Sequence, residues 1–168
     1  MIQVYTGEGK GKTSAALGAA LRACGAGSRV YIMQFLKKGC FSELKTLRGI
    51  KNIKLEQCGR GCFFGKRKPA ALDFILAKAG LEKARKAVLG SAYSVVVLDE
   101  INVALRLKLL KIEEVVSLLK LNPKRKELIL TGRSLHHEIK KLADLVSEIK
   151  EVKHYFRNGV KARRGFEF

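Results

Sequence analysis

The chain has 168 residues, 47% apolar and 29% charged, a globular balance long enough to bury a substantial core without disulfides or metal. No apolar run approaches the ~20 residues that cross a bilayer, and the opening Met1-Ile2-Gln3-Val4-Tyr5 lacks the basic, apolar and small-residue pattern of a secretory leader. Lys and Arg number 34 against 15 Asp and Glu, a net charge of +19 that attracts polyanions, yet the clusters at 66–68, 124–126 and 161–164 lack the interleaved aromatics of a nucleic-acid reader. The expectation is one cytoplasmic domain over 1–168, with nucleic acid an unlikely partner.

In chain order, β-rich runs alternate with helical patterns. Ile2–Tyr5 reads as a strand, Thr13–Cys24 as an alanine- and leucine-rich helix, Arg29–Met33 as a second strand and Ile53–Glu56 as a third. A loop rich in glycine and cysteine runs to Lys68, and Pro69 suits the start of a helix over Ala71–Leu89, with Leu72, Ile75, Leu76 and Ala79 on one face. Ser94–Leu98 is apolar at nearly every position, the mark of a strand buried on both faces. Ile112–Leu121 is helical, Leu128–Leu130 a strand, Leu135–Leu142 a helix and Leu145–Ile149 an edge strand. Strands separated by helix-length connections predict an α/β fold of three layers with a mostly parallel central sheet. Cys24, Cys40, Cys58 and Cys62 form no paired metal spacing and read as free thiols, Cys24 on a buried helix face.

The most informative segment is Thr6-Gly7-Glu8-Gly9-Lys10-Gly11-Lys12-Thr13-Ser14, which follows a strand and opens a helix. Glycines let successive N–H groups converge on a phosphate, the helix N-terminus adds partial positive charge, Lys12 adds a full charge, and Thr13 offers a hydroxyl to magnesium. The loop is one residue shorter than the usual spacing, with Thr6 in the first-glycine place. Val95-Val96-Val97-Leu98-Asp99-Glu100 brings two carboxylates to a strand end where one can share that magnesium; Asp99 alone could instead cap the next helix. Leu128-Ile129-Leu130-Thr131-Gly132-Arg133 brings Arg133 to the same edge, where its guanidinium can pair with phosphate. His136 and His137 read as surface residues, and no Ser-His-Asp or Cys-His arrangement is evident.

These motifs, with Met33-Gln34-Phe35-Leu36-Lys37, Val152-Lys153-His154 and Gly159-Val160-Lys161-Ala162, resemble the ATP:corrinoid adenosyltransferases, a RecA-like P-loop family, in order from 1 to 168. The resemblance implies transfer of the 5′-deoxyadenosyl group of ATP to the cobalt of a reduced corrinoid, with release of triphosphate. It implies ATP lying reversed in the loop, held by Gly7, Glu8, Gly9, Lys10, Gly11, Lys12, Thr13 and Ser14, with Arg22 and Arg133 also meeting it. Lys12 and Arg133 would stabilise the leaving triphosphate, and Thr13 and Glu100 would hold Mg2+ or a similar divalent cation. It further implies a homodimer and a flavodoxin-type or other cobalt reductase. Gly59-Arg60-Gly61-Cys62-Phe63-Phe64 departs from the relatives' Gly-Phe-Thr-Trp, so Phe63 and Phe64 are the substitutes expected beneath the corrin ring. No counterpart of the amino-terminal extension found in some members is expected. Two other readings compete: a P-loop ATPase or small kinase, and a basic nucleic-acid-binding protein.

Overall fold

The computed structural model describes residues 1–39, 41–61, 68–123 and 125–167. The elements are β1 (Ile2–Thr6), α1 (Lys12–Gly25), β2 (Val30–Phe35), α2 (Ser42–Arg48), β3 (Ile53–Cys58), α3 (Ala71–Leu89), β4 (Val95–Asp99), α4 (Ile101–Arg106), α5 (Ile112–Lys120), β5 (Glu127–Thr131), α6 (His137–Leu142) and β6 (Leu145–Glu148), followed by a 3-10 turn at Tyr155–Asn158. The six strands form one sheet in the order β3-β2-β4-β5-β1-β6, every neighbouring pair parallel. β2 and β4 lie in the interior and are buried at every position, as their near-continuous apolar sequences require.

Period-two alternation divides the core between two faces. Val30, Ile32, Val95, Val97 and Ile129 pack with Ala16, Leu17 and Ala20 of α1 and Leu47 of α2. Tyr31, Met33, Phe35, Val96, Leu98, Leu128 and Leu130 pack with Ala77, Leu81, Ala84 and Val88 of α3, Leu118 of α5 and Ile139 of α6. The small residues of α1 let its axis lie close to the sheet, so the helix that opens on Lys12 is held firmly under the strand ends. This is the three-layer α/β arrangement the alternation implied.

Two expectations shift. The buried face of α3 is Asp73, Ala77, Gly80, Leu81, Ala84, Ala87 and Val88, whereas Leu72 and Ile75 are exposed. The reason lies at Gly80, where an added Cβ would stand 2.2 Å from the Cys58 sulfur; the helix turns its small residues, not its largest apolar ones, toward the sheet. Burial pushes the Cys58 thiol up to about 12, so it behaves as a small apolar group. α2 and α4 are additional short helices, and Cys24 is only half-buried. No described helix is long and apolar enough to cross a membrane.

Candidate functional site

The chain leaves β1 through Gly7 (φ 101°) and enters α1 through Gly11 (φ 112°), both in the left-handed region that glycine tolerates. A Cβ on Gly7 would meet the Ile149 carbonyl oxygen at 2.4 Å, and one on Gly9 would meet the Ile149 and Lys150 backbone at 2.8 Å. The loop is therefore pressed against the end of β6, and the Gly9 N–H donates to the Ile149 carbonyl at 2.8 Å. α1 has no side-chain cap and no acidic residue in its first turn, so no side chain of the helix start occupies its leading N–H groups. Lys12 is buried there and donates from Nζ to the Gly9 carbonyl at 2.6 Å. Burial, then the nearby Arg133 charge, lowers its pKa; an arriving anion relieves both effects.

Opposite the loop stands Asp99, fully buried at the end of β4. One carboxylate oxygen accepts from the Thr13 hydroxyl at 2.8 Å and the Thr131 hydroxyl at 2.7 Å. The other accepts from Gln34 Nε2 at 3.1 Å and Lys37 Nζ at 2.9 Å. Burial opposes the charge of Lys37, but the adjacent Asp99 carboxylate more than offsets it and the lysine pKa is raised. Asp99 is thus not a helix cap. With four donors its acceptor sites are filled, and it fixes Thr13 with the hydroxyl proton turned inward and the lone pairs free.

Glu100 follows in the left-handed conformation (φ 63°), a strained posture for a glutamate that sets it at the start of α4. Its N–H donates to the Thr131 hydroxyl at 2.9 Å, while its carboxylate makes no hydrogen bond or ion pair among the described residues. Burial, then the neighbouring Asp99 charge, raises its pKa. A half-buried carboxylate with no hydrogen bond or ion pair among the described residues, next in sequence to the aspartate that holds the Thr13 hydroxyl, offers oxygen donors suited to a hard cation. No described group of three or more His, Cys, Asp or Glu forms a complete metal cage. One or two protein oxygens completed by phosphate and water are what Mg2+ ordinarily takes, so the residues present fit that ion.

The other expected residues are distributed around this centre. Arg133 pairs with Glu8 at 2.8 Å at the mouth of the loop. Its turn is held because the Gly132 carbonyl accepts from Thr6 Oγ1 at 2.9 Å and Asn102 Nδ2 at 3.3 Å. Beside it an open groove of about 430 Å³ is lined by Glu8, Arg133, Glu148, Lys150, Glu151 and Arg157. Ser14 is exposed at the start of α1. Lys10 points away from the concavity to the C-terminal segment, donating to Tyr155 Oη at 2.6 Å, the Phe166 carbonyl at 2.8 Å and Glu167 Oε1 at 2.5 Å. Arg22 is exposed in the last turn of α1, about 15 Å along the axis from Lys12 at the usual helical rise. Phe63 and Phe64 lie outside the described residues. Asn102 was not singled out in the sequence, and Gln34, Lys37, Thr131 and Thr6 stood there within motifs but without these bonding roles. The signal for three of them was a polar residue closing an apolar alternation at a strand end.

A parallel sheet whose first strand runs through a glycine loop into an uncapped helix, with a hydroxyl and carboxylates opposite, defines a P-loop nucleotide-binding protein. The family model for ATP:corrinoid adenosyltransferase BtuR/CobO/CobP matches residues 1–168, and the chain belongs to that family. It is 35% identical over 168 residues to the corrinoid adenosyltransferase of Escherichia coli K12, covering all of this chain and 85% of the relative. Identity to the corrinoid adenosyltransferase CobA of Salmonella typhimurium is also 35%, with the same coverage. A Nostoc sp. protein described as uncharacterized is 36% identical over 180 residues, and the chain spans 48% of its length.

Proposed function

We propose that this chain transfers the 5′-deoxyadenosyl group of ATP to the cobalt of a reduced corrinoid and releases triphosphate. The reading is supported by Lys12 and Thr13 at the uncapped α1 N-terminus with Glu100 at the end of β4, and by the lack of a general acid–base pair beside them among the described residues. The reaction requires none: the electron pair on cobalt(I) forms the bond to C5′, and the C5′–O pair leaves with the triphosphate. What the protein supplies is placement and stabilisation of the leaving charge.

In this reading the Gly7–Ser14 backbone and Lys12 hold the phosphates, with ATP reversed in the short loop. Arg133 exchanges Glu8 for a phosphate oxygen. Thr13 and Glu100 would hold Mg2+, which when bound would neutralise developing oxygen charge. Asp99 keeps the Thr13 lone pairs turned toward that site. Lys10 serves the loop from behind through its clasp on the C-terminal segment, and Arg22 would be reached only by the far end of an extended nucleotide. Phe63 and Phe64 are assigned to the corrinoid face. A homodimer, a flavodoxin-type or other cobalt reductase and a cytoplasmic location complete the proposal, on family grounds.

The test is to identify the phosphate product. Anaerobic incubation with ATP, Mg2+ and chemically reduced cobalamin should yield inorganic triphosphate in step with corrinoid consumption. ADP and orthophosphate would favour a P-loop ATPase instead.

A further inference from the structure

Four polar side chains, one from each of four adjacent strands, close the α1 face of the sheet in a single row. Each stands where the alternation calls for the next apolar residue: Ile53-Leu55-Gln57 on β3, Val30-Ile32-Gln34 on β2, Val95-Val97-Asp99 on β4, and Ile129-Thr131 on β5. Parallel register sets Gln57 beside Gln34 and Gln34 beside Asp99. The Gly39 N–H donates to Gln57 Oε1 at 3.2 Å, Gln57 Nε2 donates to Gln34 Oε1 at 2.9 Å, and Gln34 Nε2 donates to Asp99 at 3.1 Å. Asp99 then receives the Thr13 proton. Each amide turns its oxygen toward the β3 side and its nitrogen toward β4. Reversing either one breaks two bonds, and Gln34 is wholly buried from solvent.

A second connection runs alongside the first. A Cβ on Gly59, just beyond β3, would stand 2.3 Å from the Leu36 carbonyl carbon and 2.6 Å from the Lys37 nitrogen. The loop after β3 therefore rests directly on the backbone whose lysine grips the second oxygen of Asp99.

The geometry points to Gln34 and Gln57 as positioning residues for the phosphate-loop threonine. The row holds Asp99 so that the lone pairs of Thr13 face the nucleotide side, and it ties that alignment to the loop after β3. The inference deepens the proposed function and rests on its nucleotide site. Neither glutamine touches Thr13, and both act through Asp99.

The test is a double-mutant cycle on the full chain, with Mg2+–ATP dissociation constants for the parent, Gln57→Met, Thr13→Val and the double variant. Gln57 is half-exposed and methionine matches its length, so the fold survives the change. Loss of the two outer bonds, from the Gly39 N–H to Gln57 and from Gln57 to Gln34, should weaken Mg2+–ATP binding about three- to tenfold, leave metal-free ATP binding unchanged, and have no further effect once Thr13 is valine. An equal loss in both threonine and valine backgrounds, an equal loss without Mg2+, or no loss at all would overturn the row's role. Failure of the parent to bind Mg2+–ATP would instead overturn the nucleotide-site reading on which it rests.

Discussion

Asp99→Asn keeps the shape of the buried side chain and changes one oxygen into a donor, so the outcome can be worked out bond by bond. If the new amide nitrogen replaces the oxygen facing Gln34 Nε2 and Lys37 Nζ, two donors collide with it at 3.1 and 2.9 Å. If it replaces the other oxygen, it faces the Thr13 and Thr131 hydroxyls, which can rotate to accept. The second arrangement wins, but it leaves Lys37 half-buried against a neutral carbonyl and turns the Thr13 proton outward. Losing the countercharge of a largely buried ion pair costs about 3 kcal/mol, equivalent to roughly 6–12 °C in melting temperature for a chain of this size. Reorienting a residue that ligates a metal should weaken Mg2+–ATP binding about 10- to 100-fold. Urea unfolding reads the first effect as a lower midpoint at constant slope, and calorimetric titration of ATP with and without Mg2+ reads the second. A stability loss below about 0.5 kcal/mol together with unchanged Mg2+ dependence would refute the hub role of Asp99.

Lys12→Ala should abolish transfer while the fold persists, a loss on the order of several kcal/mol in the transition state; kcat/KM within about threefold of the parent would contradict it. Glu100 has a raised pKa, so the metal-free fold retains a proton there that the unfolded chain releases near pH 4.5, and stability must fall as pH rises through the folded value. Glu100→Gln should remove that downward slope, raise the metal-free melting temperature at neutral pH and impair Mg2+ use; an unchanged slope would contradict the assignment. Lys10→Met should accelerate amide exchange over residues 155–167 by removing the clasp on Tyr155 and Glu167, while costing far less kcat/KM than Lys12→Ala. Equal catalytic losses would mean that Lys10 meets phosphate after all.

The parts of the fold written in the sequence were those governed by periodicity and by glycine. The apolar run of β4 read as a central strand because nothing else buries five consecutive residues on both faces, and the loop from Gly7 to Gly11 read as a phosphate cradle because its flanks were a strand and a helix. The orientation of α3 was not legible, because packing around Gly80 and Cys58 decided it and residue size misled. Asp99 and Glu100 were visible as a pair, and the resemblance gave the metal role to Glu100, but the bonds that occupy Asp99 were not legible. They depend on Gln34 and Thr131, brought to Asp99 by strand register, and on Lys37 from the loop just beyond β2. The outward turn of Lys10 likewise depends on the C-terminal segment folding back over 145 residues of separation, from Tyr155 to the loop.

The central claim is that carbon leaves ATP for cobalt with the triphosphate intact. A single anaerobic turnover of ATP labelled at C5′, with prereduced cobalamin and the full chain, tests it most directly. Label should appear in a light-sensitive cobalt–carbon product, matched one for one by inorganic triphosphate. Label remaining in ADP or AMP, with the corrinoid spectrum unchanged, would contradict it.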